Sequence, residues 1–256
     1  MSTALILRCA GTNCDRELIH AFALAGATCD VHHVNDLIRD PSPITRADLI
    51  GFPGGFSYGD DIAAGRILAG RLRHRLREPL LEAVARGTPM IGICNGFQVL
   101  VKLGLLPFPD DLQTGGQSAT LADNPTGRFL DRWTPLKAVP DSVCIWTHGL
   151  DEAFDLPIAH GEGRFLPRDE TVLARLREGR QIALTYAANP NGSVADIAGV
   201  CDPSGVVLGL MPHPERFTHA THHPAWSHHA LAPVGLRFFQ NAVAHVRQRQ
   251  AVSAGA

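Results

Sequence analysis

The stretch MIGICNGFQVLVKL, residues 90–103, constrains the fold more than any other part of this chain. A short run of small apolar residues ends in a cysteine and passes directly into an amphipathic segment that begins Asn-Gly. Met90, Ile91 and Ile93 suit a buried strand, whereas Phe97, Val99, Leu100 and Leu103 recur at helical spacing. Neither element explains a thiol at their junction, with glycines two places before it and two places after it.

The same alternation runs through the first half. TALILRC reads as a strand and DRELIHAFALAGA as a helix closed by Gly26. TCDVHHV and ADLIGFPGGF read as two further strands, the latter ending in the turn Pro53-Gly54-Gly55. Residues 65–86 read as helical with an interruption at Pro79. Strands alternating with helices imply an α/β fold, an open and mostly parallel or mixed central sheet flanked by helices. The second half changes character. RFLDRWTPLKAV, VCIWTHG and LPIAHGEGRFL are short segments broken by Gly, Pro and Asp, as in an antiparallel or mixed region. QIALTYA and VVLGLMPHPE read as later strands, and LAPVGLRFFQNAVAHVRQ as a closing amphipathic helix. At 256 residues and 45% hydrophobic, the chain can bury one large core, so residues 1–250 are expected to form one domain and 251–256 a disordered tail.

Composition excludes several function classes. The 23 basic residues face 25 acidic ones without long blocks of either sign, which gives no electrostatic case for nucleic acid or an anionic membrane. No stretch approaches the length of an apolar membrane span. Six dispersed cysteines, with no CxxC pair and no secretory leader, fit a reduced cytoplasmic setting in which each thiol is free.

Ligands of open α/β sheets sit outside the carboxyl ends of the strands. Three segments arrive there with useful chemistry: Gly54-Gly55, Cys94-Asn95-Gly96 and Met211-Pro-His-Pro-Glu215. Two readings of Cys94 fit its local pattern equally. It is a nucleophile exposed on a tight elbow, where a helix N-terminus favours the thiolate, or an inert core thiol. His213 favours the first, because it follows an apolar strand and has Glu215 two residues on. An imidazole beside Cys94 would take its proton, and the carboxylate would hold the ring. Glycine amides near Gly54-Gly55, and an amide after Cys94, would supply an oxyanion site.

Together PGGFSYGDDIAAG (53–65), GICNGFQVL (92–100), IAHGEGRF (158–165), NPNGSVADIAG (189–199) and GLMPHPER (209–216) resemble the class I glutamine amidotransferases. Within that class, the Asn after the cysteine, the Phe before Gln98 and the HGEGRF run narrow the resemblance to the amidotransferase subunits of phosphoribosylformylglycinamidine synthase. AGTNCDRE (10–17) agrees with the start of that family. The resemblance implies a flavodoxin-like three-layer architecture, with Cys94 as nucleophile, His213 as base and general acid, and Glu215 as the group orienting the histidine. It also implies oxyanion donors at Gly55 and Asn95, and a glutamine pocket shaped by Gln98. The implied reaction is hydrolysis of L-glutamine, with ammonia passed to a separate synthetase (PurL-like) and a small bridging subunit (PurS-like). No metal or cofactor is expected in this chain, since ATP and magnesium belong to the synthetase.

Some features stand outside that pattern. Asp61-Ile62 replaces the aromatic and leucine usual in the family, in a region that faces the expected partner. Residues 219–229 hold five of the thirteen histidines; His222, His223, His228 and His229 suggest a metal, but a surface loop near the site or partner is the expected reading. His160 and Glu162 imitate an acid–base pair, yet their flanking glycines suit a tight hairpin with a structural or interface role. Gly115-Gly116 weakly suggests a phosphate loop without the strand–helix context one needs. Cys14 is singled out among the other thiols by its place in the loop leaving the first strand. Three rivals remain on the residues alone: another cysteine hydrolase or peptidase, an amidotransferase feeding a different synthetase, and a non-enzymatic regulatory subunit.

Overall fold

A computed structural model describes residues 2–111, 116–228 and 232–254 of the protein. The first half alternates β1 (Thr3–Arg8), α1 (Asp15–Leu24), β2 (Thr28–His33), the short helices α2 (Val34–Arg39) and α3 (Ser42–Arg46), and β3 (Leu49–Phe52). It continues with α4 (Arg66–Arg75), α5 (Arg77–Ala85), β4 (Met90–Ile93) and α6 (Asn95–Leu103). The second half comprises β5 (Ala119–Ala122), β6 (Leu130–Ala138), β7 (Ala153–His160), β8 (Arg164–Pro167) and α7 (Glu170–Glu178). After these come β9 (Ile182–Tyr186), β10 (Ile197–Cys201), β11 (Val207–Leu210) and α8 (Gly235–Ala254).

Nine strands form one sheet in the order β2-β1-β3-β4-β11-β10-β9-β6-β7, and β5 pairs with β8 in a separate two-stranded ladder. The strands from β2 to β11 in that order run parallel. The remainder, from β10 to β7, pair antiparallel. The expected α/β fold with a mixed sheet is therefore what the chain adopts. Every residue of LIGF, MIGI and VLGL, the strands β3, β4 and β11, is buried, as continuous apolar runs covered on both faces must be. By contrast TCDVHH, the edge strand β2, keeps polar side chains toward water, which blunts the open edge.

Late in sequence but central in space, β11 lies beside β4. Parallel order then places the carboxyl ends of β1, β3, β4 and β11 along one margin of the sheet, and that margin carries the functional side chains. The terminal helix α8 buries Phe238, Phe239, Ala242 and Val243. Phe239 meets Phe22 of α1 edge-on at 5.1 Å. Trp146, fully buried, donates its indole N–H to the Val206 carbonyl at 2.9 Å and so ties the 145–147 turn to the residue that precedes β11.

Three expectations need adjustment. The helical stretch 65–86 breaks at Leu76 and not at Pro79, which sits in the first turn of α5, where its missing N–H has no helical acceptor to lose. Helix α8 continues through Ala254, four residues into the expected tail, because Ala-Val-Ser-Ala contains no helix breaker; Gly255 and Ala256 lie outside the described residues. Helix α7 and strand β10 were not anticipated. Asp169 caps α7 by accepting from the Val172 N–H at 2.9 Å, and the signal was present in DETVLARL. β10 is short and irregular in register against β9. Among the described residues no helix is long and apolar enough to cross a membrane.

Candidate active site

Cys94 occupies the single residue between β4 and α6, at φ 52° and ψ −107°. Positive φ in a residue with a side chain costs on the order of 1–3 kcal/mol and persists only where the surroundings impose it. The imposition is steric and visible in the flanking glycines. A Cβ on Gly96 would lie 2.0 Å from the Phe52 carbonyl oxygen, and one on Gly92 would lie 2.5 Å from Leu100 Cδ1 and 2.7 Å from the Gly96 oxygen. The chain turns sharply against β3 because neither position carries a side chain. The Cys94 N–H donates to the Leu210 carbonyl at 2.8 Å and its carbonyl accepts from the Gln98 N–H at 3.1 Å, so sheet and helix both grip the elbow.

His213 leaves the end of β11, its own N–H donating to the Pro157 carbonyl of β7 at 2.9 Å. Its Nδ1 lies 2.6 Å from Glu215 Oε1, and both side chains are buried. Nε2 is buried without a hydrogen-bond partner among the described residues, so the nitrogen opposite the carboxylate is free for a reacting group. Burial alone would push the imidazole pKa down. The Glu215 carboxylate, followed by Cys14 and then Cys94, overrides it and holds the ring well above the ordinary histidine value. That direction favours the imidazolium, the form able to give a proton.

Cys94 opens on a cavity of about 270 Å³ lined also by Gly55, Gln98, Asp60, Arg128 and His160, among others, while His213 and Glu215 lie behind that lining. The Cys94 thiol is directed at the Ala159 carbonyl, 3.4 Å away, on the opposite wall. Gly55, at φ 135°, is held by the bridge between its segment and Thr12. Asn95 opens α6, so its amide precedes the helical hydrogen-bond ladder. Its side chain is committed elsewhere: Oδ1 accepts from the Ser57 N–H at 3.2 Å, and Nδ2 donates to Asp60 Oδ1 at 3.1 Å and Gln98 Oε1 at 3.0 Å. Gln98 in turn donates to the Glu162 carbonyl at 2.5 Å.

The HGEG run does not form the tight hairpin its glycines suggested, because β7 pairs with β6 and β8 with β5, so the run carries the chain from one sheet to the other. Glu162 accepts the Ala64 N–H with both carboxylate oxygens, at 3.0 and 3.1 Å, and so clamps the 57–65 loop against the cavity. That loop holds Tyr58 and Asp60 at positive φ, near 55° and 51°. Burial, with the neighbouring Glu162 charge adding to it, raises the Asp60 pKa. His160 lies over Gly163, where a Cβ would sit 2.2 Å from its Nδ1. Both of its ring nitrogens are buried and unpartnered among the described residues, and burial followed by the His213 charge lowers its pKa to about 4.

The histidine-rich segment does not converge where it is described. His223 turns inward against Trp133, with ring centroids 4.3 Å apart, and its Nδ1 accepts from the Ala225 N–H. His222 instead faces His219 at 5.3 Å. His229 and Gly115 lie outside the described residues. Sequence reasoning missed the arrangement behind the triad: Cys14, His213 and Glu215 bring one ligand-type atom each within 4.8 Å of one another. Cys14 stands at the start of α1 and Arg216 directly after Glu215, but nothing in the sequence set these two segments side by side.

Residues 2–246 match the family model for the CobB/CobQ-like glutamine amidotransferase domain. The chain is 45% identical over 254 residues to the phosphoribosylformylglycinamidine synthase subunit PurQ of Dehalococcoides mccartyi, covering 95% of this chain and 97% of that one. It is 41% identical over 234 residues to the PurQ subunit of Methanococcus maripaludis, covering 87% and 85%. Among solved structures, PurLQS from Thermotoga maritima superposes with a TM-score of 0.75 at 31% identity, over 96% of this chain and 99% of the matched chain. With its elbow cysteine, its buried His–Glu pair and this likeness along nearly its whole length, the chain belongs to the PurQ family of class I glutamine amidotransferases.

Proposed function

We propose that this chain is the glutaminase subunit of a phosphoribosylformylglycinamidine synthase. It hydrolyses L-glutamine to glutamate through a cysteinyl thioester and hands the ammonia to a PurL-like synthetase, in a complex that includes a PurS-like subunit. The synthetase holds ATP and magnesium and converts formylglycinamide ribonucleotide to formylglycinamidine ribonucleotide in purine synthesis. The observation that carries this reading is a strained cysteine elbow facing the cavity, with a buried, positively biased histidine interacting with it from behind the cavity lining. Residues 1–250 act as one amidotransferase unit, and the setting is the cytoplasm.

The residues divide the work as follows. The Cys94 thiolate adds to the glutamine Cδ, and the carbonyl electron pair moves to oxygen. The amides of Gly55 and Asn95 receive that oxyanion, each donor contributing on the order of 10²–10³ in rate. Collapse breaks the C–N bond while His213 Nε2–H gives its proton to the departing nitrogen, so ammonia leaves and a γ-glutamyl thioester remains. Water then loses a proton to Nε2 and adds to the thioester carbonyl; a second collapse expels the Cys94 thiolate and frees glutamate. Glu215 stabilises the imidazolium, which gives up its proton in the first half and is re-formed in the second. Gln98, fixed between Asn95 and Glu162, shapes the glutamine pocket.

Reconstitution with PurL-like and PurS-like subunits tests this. Glutamate release should depend on the nucleotide substrate and ATP, with one formylglycinamidine product per glutamate. Glutamine turnover coupled only to a GMP, CTP or carbamoyl phosphate synthetase, or no turnover in any complex, would overturn it.

A further inference from the structure

Cys14 is a second thiol at the catalytic histidine. It is 2% exposed and forms the N-terminal boundary of α1. Its sulfur accepts from Arg216 Nη2 at 3.0 Å and donates to Asn13 Oδ1 at 3.3 Å. Arg216 is itself steadied by Glu17, with Nε 3.6 Å from Oε1. A Cβ placed on Gly54 would touch both partners, at 3.2 Å from Cys14 Sγ and 3.1 Å from His213 Cε1, so sulfur and imidazole flank that glycine. The Asn13 and Cys14 amides both donate to the Gly54 carbonyl, at 3.4 and 3.3 Å, which locks the thiol-bearing loop to the glycine turn.

Cys14 is not among the residues lining the cavity that holds Cys94, Gly55 and Gln98. Like His213, it lies behind that lining, whereas Cys94 faces the cavity, and this places Cys14 as a rear support of the imidazole. We propose that Cys14 is a positioning residue for His213: its sulfur, pinned by Arg216, holds the imidazole from the buried side while Cys94 meets it from the substrate side. The groups facing the ring are then Glu215 along the Nδ1 edge, the two thiols, His160 from β7, and Arg216 beyond Cys14. Glu215 and the thiols favour the charged ring, whereas His160 stays neutral.

This inference rests on the glutaminase reading, and its test separates the two. The reconstituted complex is assayed for glutamate release across pH with the wild-type chain, Cys14→Val and Cys14→Ser. Valine keeps the volume and removes the polar sulfur; serine restores a polar atom. The basic limb of kcat/KM reports loss of the His213 proton in the free enzyme. Removing a stabilising partner of the imidazolium should move that limb to lower pH by about one unit in Cys14→Val. Cys14→Ser should recover at least half of the shift, with KM near wild type in both. A purely structural cysteine would lower the rate equally at every pH and leave the limb in place, and that result overturns the inference. Cys14→Ala carries the same expectation should valine prevent folding. No glutamate release by the wild-type complex would instead refute the functional reading itself.

Discussion

Replacing His160 with phenylalanine should remove a pH dependence of stability built into the cavity wall. The imidazole is buried, its two nitrogens are unpartnered among the described residues, and its pKa is held down to about 4 by burial and then by the His213 charge. In the unfolded chain it titrates near the ordinary value of about 6.5. Below that value the unfolded state binds a proton that the folded state refuses, so folding becomes less favourable as pH falls. With pKa values of about 4 and 6.5, this one group costs roughly 0.2 kcal/mol at pH 7, about 2 at pH 5 and about 3 at pH 4. His160→Phe has no such group. Urea unfolding of both chains at pH 7, 6 and 5 should therefore show the stability difference moving by about 2 kcal/mol in favour of the variant. The baseline offset is irrelevant, because packing changes do not vary with pH. A difference that stays flat across that range would refute the account of a neutral, sealed imidazole.

Other expectations follow from the elbow and the triad. Gly96→Ala forces a Cβ to within 2.0 Å of the Phe52 carbonyl, so the elbow must shift; a loss of at least about 3 kcal/mol in unfolding free energy is expected, together with loss of glutaminase activity. Glu215→Gln removes the largest influence raising the His213 pKa. It should cut kcat/KM by about 10²–10⁴ and move its basic limb to lower pH, as read from a pH–rate profile of the complex.

The sequence made the chemistry more legible than the architecture that delivers it. The elbow was readable because its requirements are local: a buried strand, a cysteine and glycines on both sides of it. His213 and Glu215 were readable because two prolines and a preceding apolar strand isolate them at a strand exit. The parallel half was legible from alternating periodicities, but strand order was not, since nothing local places β11 between β4 and β10. For that reason the partnership of Cys14 with Arg216, which joins residues 202 positions apart, escaped notice. The side chain of Asn95 was also hidden. It reads as part of a nucleophile motif, yet its amide group ties together Ser57, Asp60 and Gln98, a role that only the folded loop reveals.

The most direct test of the central claim is to treat the reconstituted complex with a glutamine-like diazoketone and map the modified residue by peptide mass, with a simple alkylator in parallel. Modification at Cys94, suppressed by glutamine and absent from Cys14, is the predicted result. Glutamine-protected modification at Cys14 or at any other residue would contradict the assignment of the nucleophile.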